Sequence, residues 1–256
     1  MFQRIKKIIF LFLLASLGIV FLSDFPVKRN LRNIFLKSKV FFIKKTYGSC
    51  QIKKIVKIPK DSIVIIGHAY GSPTKKSDFI SKNIQFFLKN NIQNINTIVF
   101  TGDVFQTPSK EKWNKLNNIY GEKSNIIIAP GNHDIGFNNE NFQNFFNNSS
   151  LHKKFPYKVE FKNFALLVED STSNKWLFDE KVYKLIDQID IFKQIVMVRH
   201  HVPVRELIFL ANSKAGYYGG LPNFEELSDS LNSQKDTIII AGDSGAFSHL
   251  PRFICL

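Results

Sequence analysis

Apolar residues along the chain fall into three patterns. The first is a set of short β-branched runs, at 62–66, 97–101, 125–129, 195–198 and 237–241, each followed by a polar, glycine-containing or histidine-containing loop. Runs of this length and composition predict buried strands of an α/β sheet. The second pattern has helical spacing. Residues 78–90 place Phe79, Ile80, Ile84, Phe87 and Leu88 on one face, and 109–120, 179–192, 206–212 and 223–231 are further predicted helices. Residues 138–150, rich in Asn and Phe, read as a helix followed by a loop. Between them, 157–161 and 164–169 read as a hairpin turning at Lys162-Asn163. The order β-α-β-α-β over the first half predicts a layered α/β fold.

The third pattern is confined to the N-terminus. Arg4, Lys6 and Lys7 precede an uncharged apolar run at 8–23. A membrane span takes about 20 apolar residues and a signal h-region about 7 to 15, so this run lies between the two. Val20, Phe21 and Leu22 occupy the places where small residues would mark a cleavage site. The run reads as an uncleaved signal anchor, with a cleaved signal peptide as the alternative. Three segments follow: an anchor or signal peptide at 1–24, a basic amphipathic linker at 25–60, and a globular domain at 61–256.

Charge separates these segments further. The formal net charge is +14, yet residues 1–60 hold fourteen Lys and Arg against one acid, Asp24, and residues 61–256 hold twenty-one bases against twenty acids. A nearly neutral domain argues against nucleic acid as a partner, because tracking a phosphate backbone takes a basic folded surface. The linker alternates bases with apolar residues, as in Phe35-Leu36-Lys37-Ser38-Lys39-Val40-Phe41-Phe42. That composition fits a solvated linker or a segment lying on anionic lipid. The excess of bases after the run predicts membrane association with the domain in the cytoplasm; cleavage would make it secreted or periplasmic. The two cysteines, Cys50 and Cys255, offer no metal-ligand spacing.

Candidate chemistry lies at the predicted strand ends: Gly67-His68, Gly102-Asp103, Gly131-Asn132-His133-Asp134, His200-His201 and Gly242-Asp243-Ser244-Gly245. Loops leaving one edge of an α/β sheet converge while the strands behind them stay rigid, so these residues are expected to share one site. Carboxylate, amide and imidazole donors together suit a divalent Mn, Fe or Zn ion.

The Gly-Asp loop, the Gly-Asn-His-Asp loop and the His201-Val202-Pro203 step resemble the calcineurin-like metallophosphoesterases over about residues 61–248. The resemblance implies an α-β-β-α sandwich and a hydrolase acting on a phosphorylated substrate with one or two divalent ions. It implies Asp103 as a carboxylate shared between two metals and Asn132 as a ligand of the second. His133 would contact phosphate and protonate the leaving group, with Asp134 orienting it. For the downstream ligand, the His-x-Pro spacing selects His201, with His200 as the alternative.

Two motifs depart from the family pattern. Where it has Asp-x-His, this chain reads Ile66-Gly67-His68, and where it has Gly-His-x-His, the chain reads Gly242-Asp243-Ser244-Gly245. Asp243 can replace the first lost imidazole, and His249 is near enough in sequence to be considered for the second. The expectation is a phosphoesterase with one strong metal site, built from Asp103, Asn132, His201 or His200, and Asp243. A weaker second site would hold His68 and Asp103. The alternative is a catalytically impaired binding or scaffold protein at the membrane.

Overall fold

The computed structural model describes residues 58–71, 78–135, 154–172, 179–203, 237–243, 248–250 and 253–255, together with 141, 143, 145 and 147. Strands β1 (Ser62–Ile66), β2 (Ile95–Phe100) and β3 (Asn125–Ile128) form a parallel sheet in the order β1-β2-β3. A second sheet takes β4 (Tyr157–Glu160), β5 (Phe164–Val168), β6 (Gln194–Arg199), β7 (Thr237–Ala241), β8 (Ser248–Leu250) and β9 (Phe253–Cys255). Its order is β4-β5-β6-β7-β9-β8, parallel from β5 through β9 and antiparallel at both edges.

Strand periodicity explains how the layers meet. Side chains alternate between faces, so each buried strand serves two cores. Val99, Ile127 and Ala129 from the first sheet pack against Leu166, Val168, Val198 and Ile240 from the second. Their neighbours Ile98, Phe100, Ile126 and Ile128 face the other way, onto Leu88 of helix α1 (Lys82–Asn91) and Trp113 and Leu116 of α2 (Lys110–Leu116). Ser109 caps α2, its side chain accepting from the Lys112 amide, with Glu111 in the first turn and Lys115 in the last, where the helix dipole favours each. Helix α4 (Glu180–Asp187), after the four-residue turn α3 (Asn132–Ile135), is capped by Asp179 and buries Val182 and Ile186. The predicted mixed α/β layering is therefore present.

Several boundaries differ from the sequence reading. The core reaches back to Ile58, three residues before the expected start at 61. The predicted helix at 179–192 ends at Asp187, because the Asp190 side chain takes the Phe192 amide and its carbonyl takes that of Lys193. Such local bonds compete with helix, and they leave Ile191 and Phe192, which completed the helical pattern in sequence, 72% and 89% exposed. Strands β8 and β9 were not foreseen; at three residues each they are too short to show a period. The predicted helices at 206–212 and 223–231, the linker as far as residue 57 and the apolar run at 8–23 lie outside the described residues. Among the described residues no helix is long and apolar enough to cross a membrane.

Candidate metal centre

The loops leaving β2, β3, β6 and β7 meet at one end of the two sheets. Gly102 has φ +87°, and a Cβ there would collide with the His200 ring, so glycine is required on both counts. Asp103 follows with φ +54°, a left-handed conformation unusual for a residue with a side chain. It is held there by Asp134. One Asp134 oxygen accepts from the Asp103 amide (2.8 Å) and the Gly131 amide (2.9 Å), and the other from the Val104 amide (3.0 Å). Asp134 thus ties the β2 loop to the β3 loop. Burial and the nearby Asp103 charge push its pKa up to about 7, against the pull of the amides it accepts from.

The task expected of Asp134, orienting His133, is done by other groups. His133 Nδ1 lies 3.0 Å from the Gln106 carbonyl oxygen, and its Nε2 lies 3.4 Å from the Tyr70 hydroxyl. A carbonyl only accepts, so Nδ1 carries the hydrogen and Nε2 is the acceptor in the neutral ring. Both Asp134 oxygens are committed to backbone amides, which is why the carboxylate serves the loops instead of the imidazole.

Asp103 faces two directions. Its Oδ1 accepts from the His133 amide (3.1 Å) and lies 3.3 Å from His200 Nε2; its Oδ2 lies 3.6 Å from His68 Nδ1. His200 Nδ1 is 3.0 Å from the Thr101 carbonyl oxygen and so is the protonated nitrogen, leaving Nε2 facing Asp103 and, at 3.2 Å, Asn132 Oδ1. Three acceptor atoms therefore converge with no donor among them unless His200 takes a second proton. The metal-free protein arranges this: burial alone would lower the His200 pKa, but the Asp103 hydrogen bond and charge, with Asp243 and the Thr101 carbonyl, raise it to about 9. Asp103 is in turn held below the usual carboxylate range, burial being outweighed by His200 and His133.

Such a convergence fits a divalent cation. Two donors each about 2.1 Å from one ion stand about 3 to 3.5 Å apart, close to the separations seen. His200, His201 and Asp243 also each offer a ligand atom within 4.8 Å of the others. Asp243 is brought in by its amide, which donates to the His200 carbonyl (2.9 Å). Gly242 beside it is pressed onto Thr101, where any Cβ would collide with the backbone.

The two histidines divide as the sequence could not decide. His200 faces Asp103 and Asn132 directly. His201, selected by the His-x-Pro spacing, has Nδ1 3.1 Å from the Ser171 hydroxyl, which also accepts from the His201 amide (2.9 Å). Burial first, then His200 and Arg199, push its pKa down to about 2, so its ring is neutral.

The other side of Asp103 is poorer. His68, at φ +47°, has a buried Nδ1 with no hydrogen-bond partner, and burial lowers its pKa. Ile66, in the place of the family carboxylate, packs into the helix-side core. His249 lies on β8, the outermost strand beyond β9, registered with Ile254. In the space beside His68 stands Tyr70, its ring 4.3 Å from that of His68 and 5.1 Å from that of His133. Burial, then Asp103 and Asp243, raise its pKa and keep it a phenol. Tyr70, Gln106 and Ser171 were not singled out in the sequence; only the two glycines and the proline around Tyr70 marked that loop as special.

The profile described as calcineurin-like phosphoesterase matches residues 77–244. No curated protein matches. Among solved structures, a phosphopantetheinyl hydrolase from Mycobacterium tuberculosis is similar at 8% identity and TM-score 0.49, over 76% of this chain and 87% of that one.

Proposed function

The chain belongs to the calcineurin-like phosphoesterase family, and from that premise we propose that it hydrolyses a phosphomonoester or phosphodiester at a centre built on Asp103, Asn132, His200 and Asp243, with His201 beside them. The observation that carries the reading is that Asp103 Oδ1 and Asn132 Oδ1 both lie within 3.3 Å of His200 Nε2, acceptors that need a positive charge between them. A bound Mn, Fe or Zn ion would polarise a phosphoryl oxygen and acidify a water. The chain's own residues do the rest. Asp134 fixes the loop that presents Asp103, Thr101 sets the His200 tautomer, and His133 stands at the rim with Nε2 placed to pass a proton to the leaving oxygen. His68 and the second Asp103 oxygen offer a weaker position for a further ion.

The N-terminal run at 8–23 is proposed as a membrane anchor, with the basic segment from 28 to 57, short of the core residue Ile58, lying on anionic lipid and the domain in the cytoplasm. The substrate is left at the level of a phosphoester.

The test is metal content and hydrolysis of the full-length protein with 4-nitrophenyl phosphate and bis(4-nitrophenyl) phosphate under Mn, Fe and Zn. At least one ion per chain is expected, with hydrolysis that falls a hundredfold or more in Asp103→Ala together with the metal. A second reading, a phosphate-binding or scaffold protein, draws on Ile66, whose apolar side chain removes one ligand from the His68 side. Metal retained with no hydrolysis of either ester would favour it.

A further inference from the structure

Tyr70 has no part in the metal set, yet the loop after β1 is bent to bring it in. His68 sits at φ +47° and Gly71 at φ +88°, and the Gly71 amide closes a turn onto the His68 carbonyl (3.0 Å). The Tyr70 amide donates to the Asp103 carbonyl (3.3 Å), which pins the turn to the β2 loop. The side chain is left 3% exposed, its ring wedged between His68 and His133 and its hydroxyl at His133 Nε2. A buried hydroxyl wants a partner, and a ring nitrogen at the rim of a reaction site wants a fixed direction.

We propose that Tyr70 is the positioning residue of His133: its hydroxyl and the Gln106 carbonyl grip the two ring nitrogens from opposite sides and hold the ring in one orientation at the rim of the site, so that Nε2 is already aimed when substrate arrives. The Gln106 carbonyl accepts from Nδ1–H and the hydroxyl donates to the lone pair on Nε2, so the ring is fixed from both ends. The separation of 3.4 Å is at the long end for such a bond.

The proposal rests on the phosphoesterase reading for its consequence, and on geometry alone for the grip, so the two are tested apart. Tyr70→Phe keeps the ring between the two imidazoles and removes only the hydroxyl. The grip is read without turnover, from imidazole nitrogen resonances of the metal-free full-length protein in detergent. The chain has six histidines, so the His133 signals are assigned by their absence in His133→Ala. The wild type is expected to show hydrogen on Nδ1 and an Nε2 resonance moved upfield by the hydrogen bond it accepts; Tyr70→Phe is expected to keep hydrogen on Nδ1, held by the Gln106 carbonyl, while the Nε2 resonance moves downfield toward that of an unbonded lone pair. Identical His133 signals in both proteins, or hydrogen on Nε2 in the wild type, would overturn the proposal.

Turnover reads the consequence. A poor leaving group needs a proton and a good one does not, so Tyr70→Phe is expected to lower kcat about tenfold or more on phenyl phosphate and little on 4-nitrophenyl phosphate, with metal content unchanged. In the His133→Ala background the same substitution is expected to add nothing. An equal loss on both esters, accompanied by lost metal, would make Tyr70 a structural residue of the loop and overturn the positioning role. A wild type that hydrolyses neither ester would sink the phosphoesterase reading while the Nε2 resonance still decides the grip.

Discussion

His200 reaches the site with Nδ1 fixed on the Thr101 carbonyl, which leaves Nε2 as its one nitrogen for Asp103 and Asn132. In the metal-free protein a proton occupies the place of a cation, so the two compete. With the His200 pKa at about 9, apparent metal affinity is expected to rise about tenfold per pH unit from 7 to 9 and then level off, and binding at pH 7.5 to release about one proton per ion. Titration calorimetry in two buffers of different ionisation enthalpy measures both. A folded pKa above the ordinary 6.5 stabilises fully below 6.5, and that contribution is lost as pH rises through 9. Metal-free protein is thus expected to lose melting temperature between pH 6.5 and 9 by more than metal-loaded protein does; equal losses would show that His200 is not the competing site. Of these residues, Asp103, Asn132, His200 and Asp243 were readable because each ends a β-branched run. The choice between His200 and His201 was not, because adjacent residues at a strand end differ only in which carbonyl or hydroxyl meets the ring, here Thr101 and Ser171 from other strands' ends. Tyr70 was illegible for a related reason: an aromatic in a loop reads as apolar filling until its hydroxyl has a partner 63 positions away.

Among the elements, the β2 and β3 loops are joined by the close approach of Gly131 to Asp103 and by the Asp134 carboxylate, which accepts from the Asp103 and Val104 amides of one loop and the Gly131 amide of its own. Removing it leaves three buried N–H groups, each worth about 1 to 3 kcal/mol when unpaired. Asp134→Ala is therefore expected to cost about 3 kcal/mol or more in urea unfolding of the metal-free protein. Asp134→Asn, which keeps one acceptor oxygen, should cost less. Both should weaken metal binding, since Asp103 at φ +54° depends on the clamp. A cost for Asp134→Ala within about 1 kcal/mol of zero would mean that solvent replaces the carboxylate. The strands and the two capped helices α2 and α4 were legible because their periods and their capping residues, Ser109 and Asp179, agree. The Asp134 clamp was not, because a side chain that bonds backbone amides across 30 residues leaves no local pattern. The end of α4 was misjudged because Ile191 and Phe192 extend its apolar period while Asp190 quietly withdraws two amides from it.

For the whole molecule, strand direction decides which way the site faces. The site loops all leave the C-terminal ends of β1, β2, β3, β6 and β7, whereas the chain comes in at Ile58, next to the start of β1. A five-residue strand is about 17 Å long, so at least that depth of protein separates the two ends. Ile191 and Phe192, before β6, are exposed at the end where the chain comes in. With the anchor and the basic segment held on the membrane as proposed, that end faces lipid and the metal centre faces water. Soluble phosphoesters are then expected to be turned over at the same kcat, within about twofold, in detergent and in anionic liposomes carrying the protein. A phosphoester on a lipid in the same bilayer is expected to be turned over at least tenfold more slowly than its water-soluble counterpart. Both rates are measured on one proteoliposome preparation with the domain outward. Faster hydrolysis of the lipid ester would require the linker to carry the domain over by half a turn, and would remove both the interfacial placement of residues 28–57 and the preference for soluble substrates that it entails.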